Sequence, residues 1–471
     1  MARRKQRPFQ QGKNSGPSTS VGFPVELEET LKPFLGDEVE LLKRSLLEPS
    51  PISIRINPLK SLETGGDVVP WCRTGRYLKE RPSFTFDPLF HAGAYYVQEA
   101  SSMFLEQAFN ASGFMGDIIA LDLAAAPGGK STHLRSLLTT SSLLVANEID
   151  RHRVQALQEN LWKWGHPNVV ITNSDPSALE DLEGFFDLIV LDAPCSGEGM
   201  FRKDPFALQQ WSPRLVEQCA RTQQRILPFA WEALVPGGVL IYSTCTWEPQ
   251  ENEHQLRPLL ERGAAPIDID LRPEWHVERS LIGGVTGYRF YPHRTKCEGF
   301  FLAVLRKAGE WVERPMKAQE DIDPGTLPFL KKGAWYRSEQ NGVQHVVEER
   351  WRSSMVQIQK GLRTLAPGIP VAEPKGNELV PHPALALNTM LDIENIQVLE
   401  LDHDQAIAYL KGNPLPSSGG RGHALATYQK RPLGWVKGTG DRWNNRWPAN
   451  WRIRSHRHAT TPVQWPQTPD R

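Results

Sequence analysis

The chain has 471 residues, of which 39% are hydrophobic, 23% charged and 9% aromatic. That length buries a sizeable core and holds roughly two to four domains, which excludes a peptide or a mini-scaffold. Lys+Arg and Asp+Glu both number 54, so net charge names no partner. No apolar run of about 18 residues offers a membrane span, and no apolar stretch after Met1 offers a secretory signal. The five cysteines include no Cys-x-x-Cys pair. Free thiols in a reducing cytoplasm, and no metal, are therefore expected.

Residues 1–20 carry Arg3, Arg4, Lys5, Arg7 and Lys13 and no acid. Such a segment cannot bury a core and is expected to be disordered. An electrostatic arm for RNA and a solubilising tail are both open for it. Residues 21–86 predict a small α+β unit. Leu27, Leu31, Phe34 and Leu35 recur at helical spacing, as do Val39, Leu42 and Leu46. Ile52, Ile54 and Ile56 then alternate with polar residues, as in a half-buried strand.

Residues 87–307 alternate strand and helix patterns. Strands are predicted at 118–122, 143–148, 169–172, 186–192 and 239–243, and a late, antiparallel one at 300–305. Helices are predicted from about Lys130 and over 151–164. This is an α/β pattern: a parallel sheet covered on both faces, with ligands at the carboxyl ends of its strands. Residues 308–342, with Pro315, Pro324 and Pro328, predict a linker. A second globular region follows over 343–455, then a basic tail over 456–471.

Residues 421–471 hold ten Lys+Arg, two Asp and Trp435, Trp443, Trp447, Trp451 and Trp465. Cations follow a nucleic-acid backbone and aromatic planes stack on bases. A small β-barrel core with exposed charge gives the same composition. Both are expected in part, with Trp435 in the core and Arg442, Arg446, Arg452 and Arg454 as candidates for RNA. Ala424–Tyr428 and Gly434–Lys437 are the expected strands.

The stretch Ala124-Ala125-Ala126-Pro127-Gly128-Gly129-Lys130 follows a strand and opens a helix. Small residues let a ligand approach the backbone, and a helix N-terminus offers free N–H groups. The pattern lacks the first glycine of a phosphate loop, which counts against nucleotide hydrolysis despite Lys130-Ser131. Glu148, Asp175 and Asp192 stand at or just past successive strand ends. One such acid is an ordinary cap or turn residue. Three beside a glycine loop point to a cofactor that contains a nucleoside.

Cys195 and Cys245 leave the fourth and fifth strands at that same edge, in Asp192-Ala193-Pro194-Cys195 and Ser243-Thr244-Cys245-Thr246. Cys72, Cys219 and Cys297 are expected to be inert packing residues. A thiolate suits attack on carbon 6 of cytosine, which turns carbon 5 into a nucleophile for an electrophilic methyl. Ionising an ordinary thiol at pH 7 costs about 2 kcal/mol, which a nearby cation or helix N-terminus supplies. Asp192 is placed to hydrogen-bond the ring and move a proton. Arg202 and Lys203, just past the Cys195 loop, are candidates for phosphate contact.

The strings AAAPGGK, LDAPCSGEG and YSTCT resemble the NOL1/NOP2/Sun family of RNA cytosine-5 methyltransferases. Ser53–Asn57, Tyr96–Ser102, Arg202–Pro205 and Glu298–Phe301 look like further family elements. Within the family the chain is most similar to the bacterial small-subunit ribosomal RNA methyltransferases of the F type, which end in a PUA-like RNA-binding domain. The resemblance implies a class I S-adenosylmethionine-dependent methyltransferase core acting on 16S ribosomal RNA or the assembled small subunit, as a monomer. It implies that Ala124–Lys130 line the methionine and ribose, Glu148 holds the ribose and Asp175 the adenine amine. Asp192 would lie between cofactor and base. It gives Cys245 the nucleophile's role and Cys195 that of product release; Cys195 as attacker stays open. Transfer RNA as substrate, and a non-catalytic assembly factor, are the rival functions.

Overall fold

The computed structural model describes residues 22–60, 62–313, 327, 329–376, 378–417, 419–455 and 462–465. The expected basic arm and most of the basic tail lie outside the described residues. Among the described residues no helix is long and apolar enough to cross a membrane.

The molecule is built on a ten-stranded sheet. Its centre is parallel, as the alternating pattern predicts: β1 (Ile119–Asp122), β2 (Leu143–Asn147), β3 (Val169–Thr172), β4 (Phe186–Asp192) and β5 (Leu234–Thr244). On one side β6 (Glu278–Ile282), β7 (Val285–Phe290) and β8 (Phe300–Arg306) add antiparallel strands, with β8 beside β5. On the other side β9 (Thr364–Pro367) runs antiparallel to β3. The order along the sheet is β6-β7-β8-β5-β4-β1-β2-β3-β9, with a two-residue strand Ala265–Pro266 paired to β8.

Near-continuous Val, Ile, Leu and Ala runs make the central strands fully buried, because helices cover both faces. Leu121, Ile189 and Leu240 pack on one face with Trp231 of the long helix Pro213–Ala233. Ala120, Leu188 and Ile241 pack on the other with Phe104 and Leu134. Each such side chain contributes about 1.5–3 kcal/mol when it leaves water. The chain turns back between β1 and β4, and that switch point fixes where ligands bind.

Two domain boundaries differ from expectation. The N-terminal sheet pairs Ile52–Ile56 with Gly75–Leu78 and with Tyr95–Val97, so it runs past the expected limit at 86. The connection from Leu78 to Tyr95 hid this, because it holds only single helical turns, Phe84–Phe86 and Pro88–His91. The expected linker contains the strand Trp335–Gln340, paired with Val343–Glu348. The C-terminal extension also contributes β9 and buries Trp351, Met355 and Ile358 in the catalytic core. The last unit is a five-stranded sheet around Arg421–Tyr428 and Arg431–Thr439, each longer than the expected strand.

Candidate active site

A cleft of about 580 Å³ opens at the carboxyl ends of β1, β4 and β5. Glu148, Asp175, Asp192, Cys195 and Cys245 all line it, together with Leu123, Ala124, Ile149, Ile226 and Phe229. Five residues chosen from spacing thus meet in one place. The volume lies in the usual range for a small-molecule pocket.

The glycine loop shapes one wall. Gly128 sits at φ +111°, a conformation glycine adopts without strain, and leads into the helix Gly129–Leu137. Only Ala124 of the loop lines the cleft; Ala125 and Ala126 are buried behind it and Pro127 is exposed. The backbone N–H of Ala126 donates to Glu148 Oε2 (3.2 Å), and that of Asp150 to Glu148 Oε1 (2.9 Å). Arg153 stands 3.6 Å from the same carboxylate. Glu148 is therefore buried but charge-balanced, with acceptor capacity left for vicinal hydroxyls. Asp175 is exposed and caps the turn Pro176–Leu182 through Ser177. Both the capping and the pocket-lining roles weighed for it are thus occupied by one side chain. Three carboxylates and the apolar walls Ile149, Ile226 and Phe229 fit a flat base, a ribose and a sulfonium cation.

Lys130 does something the spacing did not reveal. Its ammonium crosses to Asp192 Oδ1 at 2.8 Å and lies over the Phe300 ring at 5.1 Å. Ser243 donates to the same carboxylate oxygen at 2.9 Å. Burial alone depresses a lysine, but Asp192, Asp122 and Cys245 outweigh it, and the ammonium is held above its ordinary value. Behind it, burial raises Asp122 to about 7, with Ser131 donating to Oδ2 at 2.6 Å.

The two site sulfurs lie 3.0 Å apart, and the Cys245 N–H points at Cys195 Sγ at 3.2 Å. The neighbouring Cys245 sulfur, and then burial, push the Cys195 thiol well above its ordinary range. Cys195 is therefore protonated at neutral pH. The Cys245 loop is held from below by a backbone contact: Gly199 N–H donates to the Cys245 carbonyl at 2.8 Å. A Cβ on Gly199 would meet the Gly299 carbonyl at 2.1 Å, so both motif glycines serve this close approach.

Of the other cysteines, Cys72 and Cys297 are buried and Cys219 is half-buried. Cys72, Glu106 and His133 bring ligand atoms within 4.8 Å of one another. These three donors fall one short of a closed structural zinc site. Burial, then Arg55, depresses His133 to about 4, and burial raises Cys72 to about 12, so both are uncharged at neutral pH.

Arg202 does not stand ready for phosphate, contrary to expectation. Its guanidinium binds Glu298 Oε2 (2.9 Å), the Cys297 carbonyl (2.5 Å) and the Ser45 carbonyl (3.3 Å), and its side chain is 4% exposed. It ties the N-terminal helices to the catalytic sheet; Lys203 beside it is exposed.

A family model described as "16S rRNA methyltransferase RsmB/F" matches residues 115–306. Models of the RsmF N-terminal domain and the RsmF PUA domain match residues 23–100 and 396–453. A ribosomal RNA small subunit methyltransferase F from Erwinia tasmaniensis is 30% identical, covering 92% of this chain and 97% of its own. The protein of that name from Aeromonas salmonicida is 33% identical, covering 86% and 91%. The chain belongs to the ribosomal RNA small subunit methyltransferase F family.

Family membership accounts for the class I core and the PUA-like unit. A solved methyltransferase homolog from Pyrococcus horikoshii is 29% identical, with a TM-score of 0.53, covering 61% of this chain and 96% of that one. An NSun6 from the same organism, solved with SFG, is 24% identical with a TM-score of 0.53 and covers 61% and 99%; it shows the shared fold.

In the PUA-like unit, Trp435, Trp443, Trp447 and Trp451 are all buried. Trp435 was expected there. The other three are core as well rather than stacking platforms, because Trp447 and Trp451 pack edge to face at 5.2 Å. Trp465 lies partly buried against Tyr95 at 4.7 Å. Arg442, Arg446, Arg452 and Arg454 are exposed.

Proposed function

We propose that this protein methylates carbon 5 of a cytidine in small-subunit ribosomal RNA through a covalent adduct with Cys245. The observation that carries this is the pair of sulfurs 3.0 Å apart in a cleft that also holds Asp192, Glu148 and Asp175. When bound, S-adenosylmethionine supplies the methyl group as a sulfonium leaving-group system. Glu148 and Asp175 hold the nucleoside part, and the backbone around Ala124 the amino-acid part. The target base is flipped from the RNA into the cleft.

The Cys245 thiolate adds to carbon 6, and the ring electrons move to carbon 5. Lys130, held beside Asp192, places a positive charge and a proton donor where that negative charge develops. Asp192 and Lys130 thus share the acid–base work expected of Asp192 alone. Carbon 5 takes the methyl group. Its proton then leaves to solvent, the C5–C6 double bond re-forms, and the bond from carbon 6 to Cys245 breaks. Cys195, protonated and in contact with the departing sulfur, donates its proton to it and is reprotonated from solvent; Cys245 gives up a proton to solvent before the next turnover, so one proton is released overall.

The test is tritium transfer from labelled S-adenosylmethionine to small subunits, 16S ribosomal RNA and transfer RNA, digested to nucleosides. A denaturing gel detects protein–RNA adducts. The expected result is label in 5-methylcytidine, no label or adduct with Cys245→Ala, and accumulated adduct with Cys195→Ala. Adduct in Cys245→Ala instead would make Cys195 the attacker. Label only on transfer RNA would overturn the ribosomal substrate, and no label on any of them would support an assembly role.

A further inference from the structure

Cys195 is gripped on both sides by groups that no motif role accounts for. Before it, Gln223 Nε2 donates to the Pro194 carbonyl at 2.9 Å. After it, the Ser196 N–H donates to Glu251 Oε2 at 3.1 Å, and the Ser196 hydroxyl also donates to Glu251 Oε1. Gln223 closes the ring by donating to Glu251 Oε2 at 3.0 Å. Tyr242 fixes Glu251 in turn, through a 2.6 Å bond to its backbone carbonyl. Glu251 and Gln223 are both fully buried. The next residue, Asn252, performs the matching task for the other sulfur. Its side chain accepts from Thr244 Oγ1 (2.6 Å) and donates to the Thr246 carbonyl (3.0 Å), on either side of Cys245.

We propose that Glu251 is the positioning residue of the release thiol: through Ser196 and Gln223 it fixes Cys195 against the Cys245 sulfur. The inference rests on the proposed two-thiol chemistry and deepens it. Ser196 Oγ also lies 2.8 Å from Glu198 Oε1, so two buried carboxyl groups meet at one hydroxyl, whose single proton serves only one of them. Two such groups do not both ionise at neutral pH. Burial raises Glu251 to about 8 and raises Glu198 as well. The other titratable groups facing this pair are Cys195, Cys219, Cys245, Tyr242 and Glu248, the last raised to about 7 by burial. A negative charge on Glu251 holds the Cys195 proton more tightly. Neutral Glu251 therefore leaves the Cys195 proton free to move to the departing sulfur, and ionised Glu251 holds it back. Neutral Glu251 has the shape and polarity of glutamine; alanine removes the grip.

The experiment uses the full chain with S-adenosylmethionine and small subunits as substrate. Glu251→Ala is expected to slow turnover by about tenfold or more while adduct accumulates, as in Cys195→Ala. Glu251→Gln is expected to restore release at pH 7 and to lose the inflection near pH 8 from the wild-type turnover profile. Asn252→Ala, compared alongside, should lower adduct formation instead. Folding is checked by thermal unfolding and by S-adenosylmethionine affinity. A folded Glu251→Ala that turns over without adduct overturns the inference, as does a Glu251→Gln profile identical to wild type. Wild type that never forms adduct would instead bring down the two-thiol chemistry beneath it.

Discussion

Lys130 Nζ stands 2.8 Å from Asp192 Oδ1, joining the helix that follows the glycine loop to the end of β4. In the proposed mechanism the pair sets a fixed cation beside the target base, and Cys245 is among the groups that hold the Lys130 ammonium charged. Lys130→Met should therefore reduce methyl transfer by about a hundredfold or more. S-adenosylmethionine affinity by calorimetry should change far less; an equal loss in binding would place Lys130 on the cofactor instead.

Arg55 should behave as a structural bolt. Its guanidinium is buried, donating to Gln98 (2.8 Å) and Thr132 (2.6 Å) and lying over Trp164 at 4.4 Å. Arg55→Met leaves those acceptors unpaired and should cost about 3 kcal/mol in urea unfolding. It should also weaken cofactor binding, since Thr132 and Gly129 belong to the helix under the glycine loop. Unchanged stability would mean the N-terminal unit docks without it.

His133 gives a pH signature. Its folded value is lowered to about 4 from 6.5, with burial as the first cause. Between those values the unfolded chain binds more protons than the folded one. The stability that His133 contributes is thus present above pH 6.5 and is lost as pH falls through 4. The margin of wild type over His133→Gln should shrink by about 3 kcal/mol from pH 7 to pH 4. Parallel unfolding curves for the two proteins across that range would contradict the buried neutral imidazole.

Arg442 and Arg446 should separate RNA binding from folding. Each is exposed, so Arg→Ala should leave stability within about 0.5 kcal/mol. If each meets a phosphate, the salt slope of RNA binding should fall by about one per substitution. Trp435→Ala, in the same unit, should instead cost about 3–5 kcal/mol. A flat salt slope in the arginine variants would move the RNA surface elsewhere.

The parts legible in the sequence were those with a period or a fixed spacing. Buried parallel strands read as apolar runs, and Glu148, Asp192, Cys195 and Cys245 followed from their places at strand ends. What escaped was fixed by contacts distant in sequence. Arg202 sits in a basic dipeptide like any surface cation, yet Glu298 and two distant carbonyls claim it. Lys130 reads as part of a cofactor loop, and only the fold carries its long side chain to Asp192. Glu251 and Gln223 gave no signal, because the bonds they make join segments 28 to 55 residues apart. Trp443, Trp447 and Trp451 fitted stacking and packing equally well until the sheet enclosed them.

β9 has a consequence for how this family can be rearranged. By pairing with β3, Thr364–Pro367 covers backbone donors and acceptors that would otherwise form an open sheet edge. A catalytic half ended after β8 would present that edge to any neighbour and lose the cover of Trp351. The segment between the enzyme and its PUA-like unit is therefore the last staple of the enzyme itself. Recombination that trades the PUA-like end for another must cut beyond Pro367, and everything before that point is inherited as one piece.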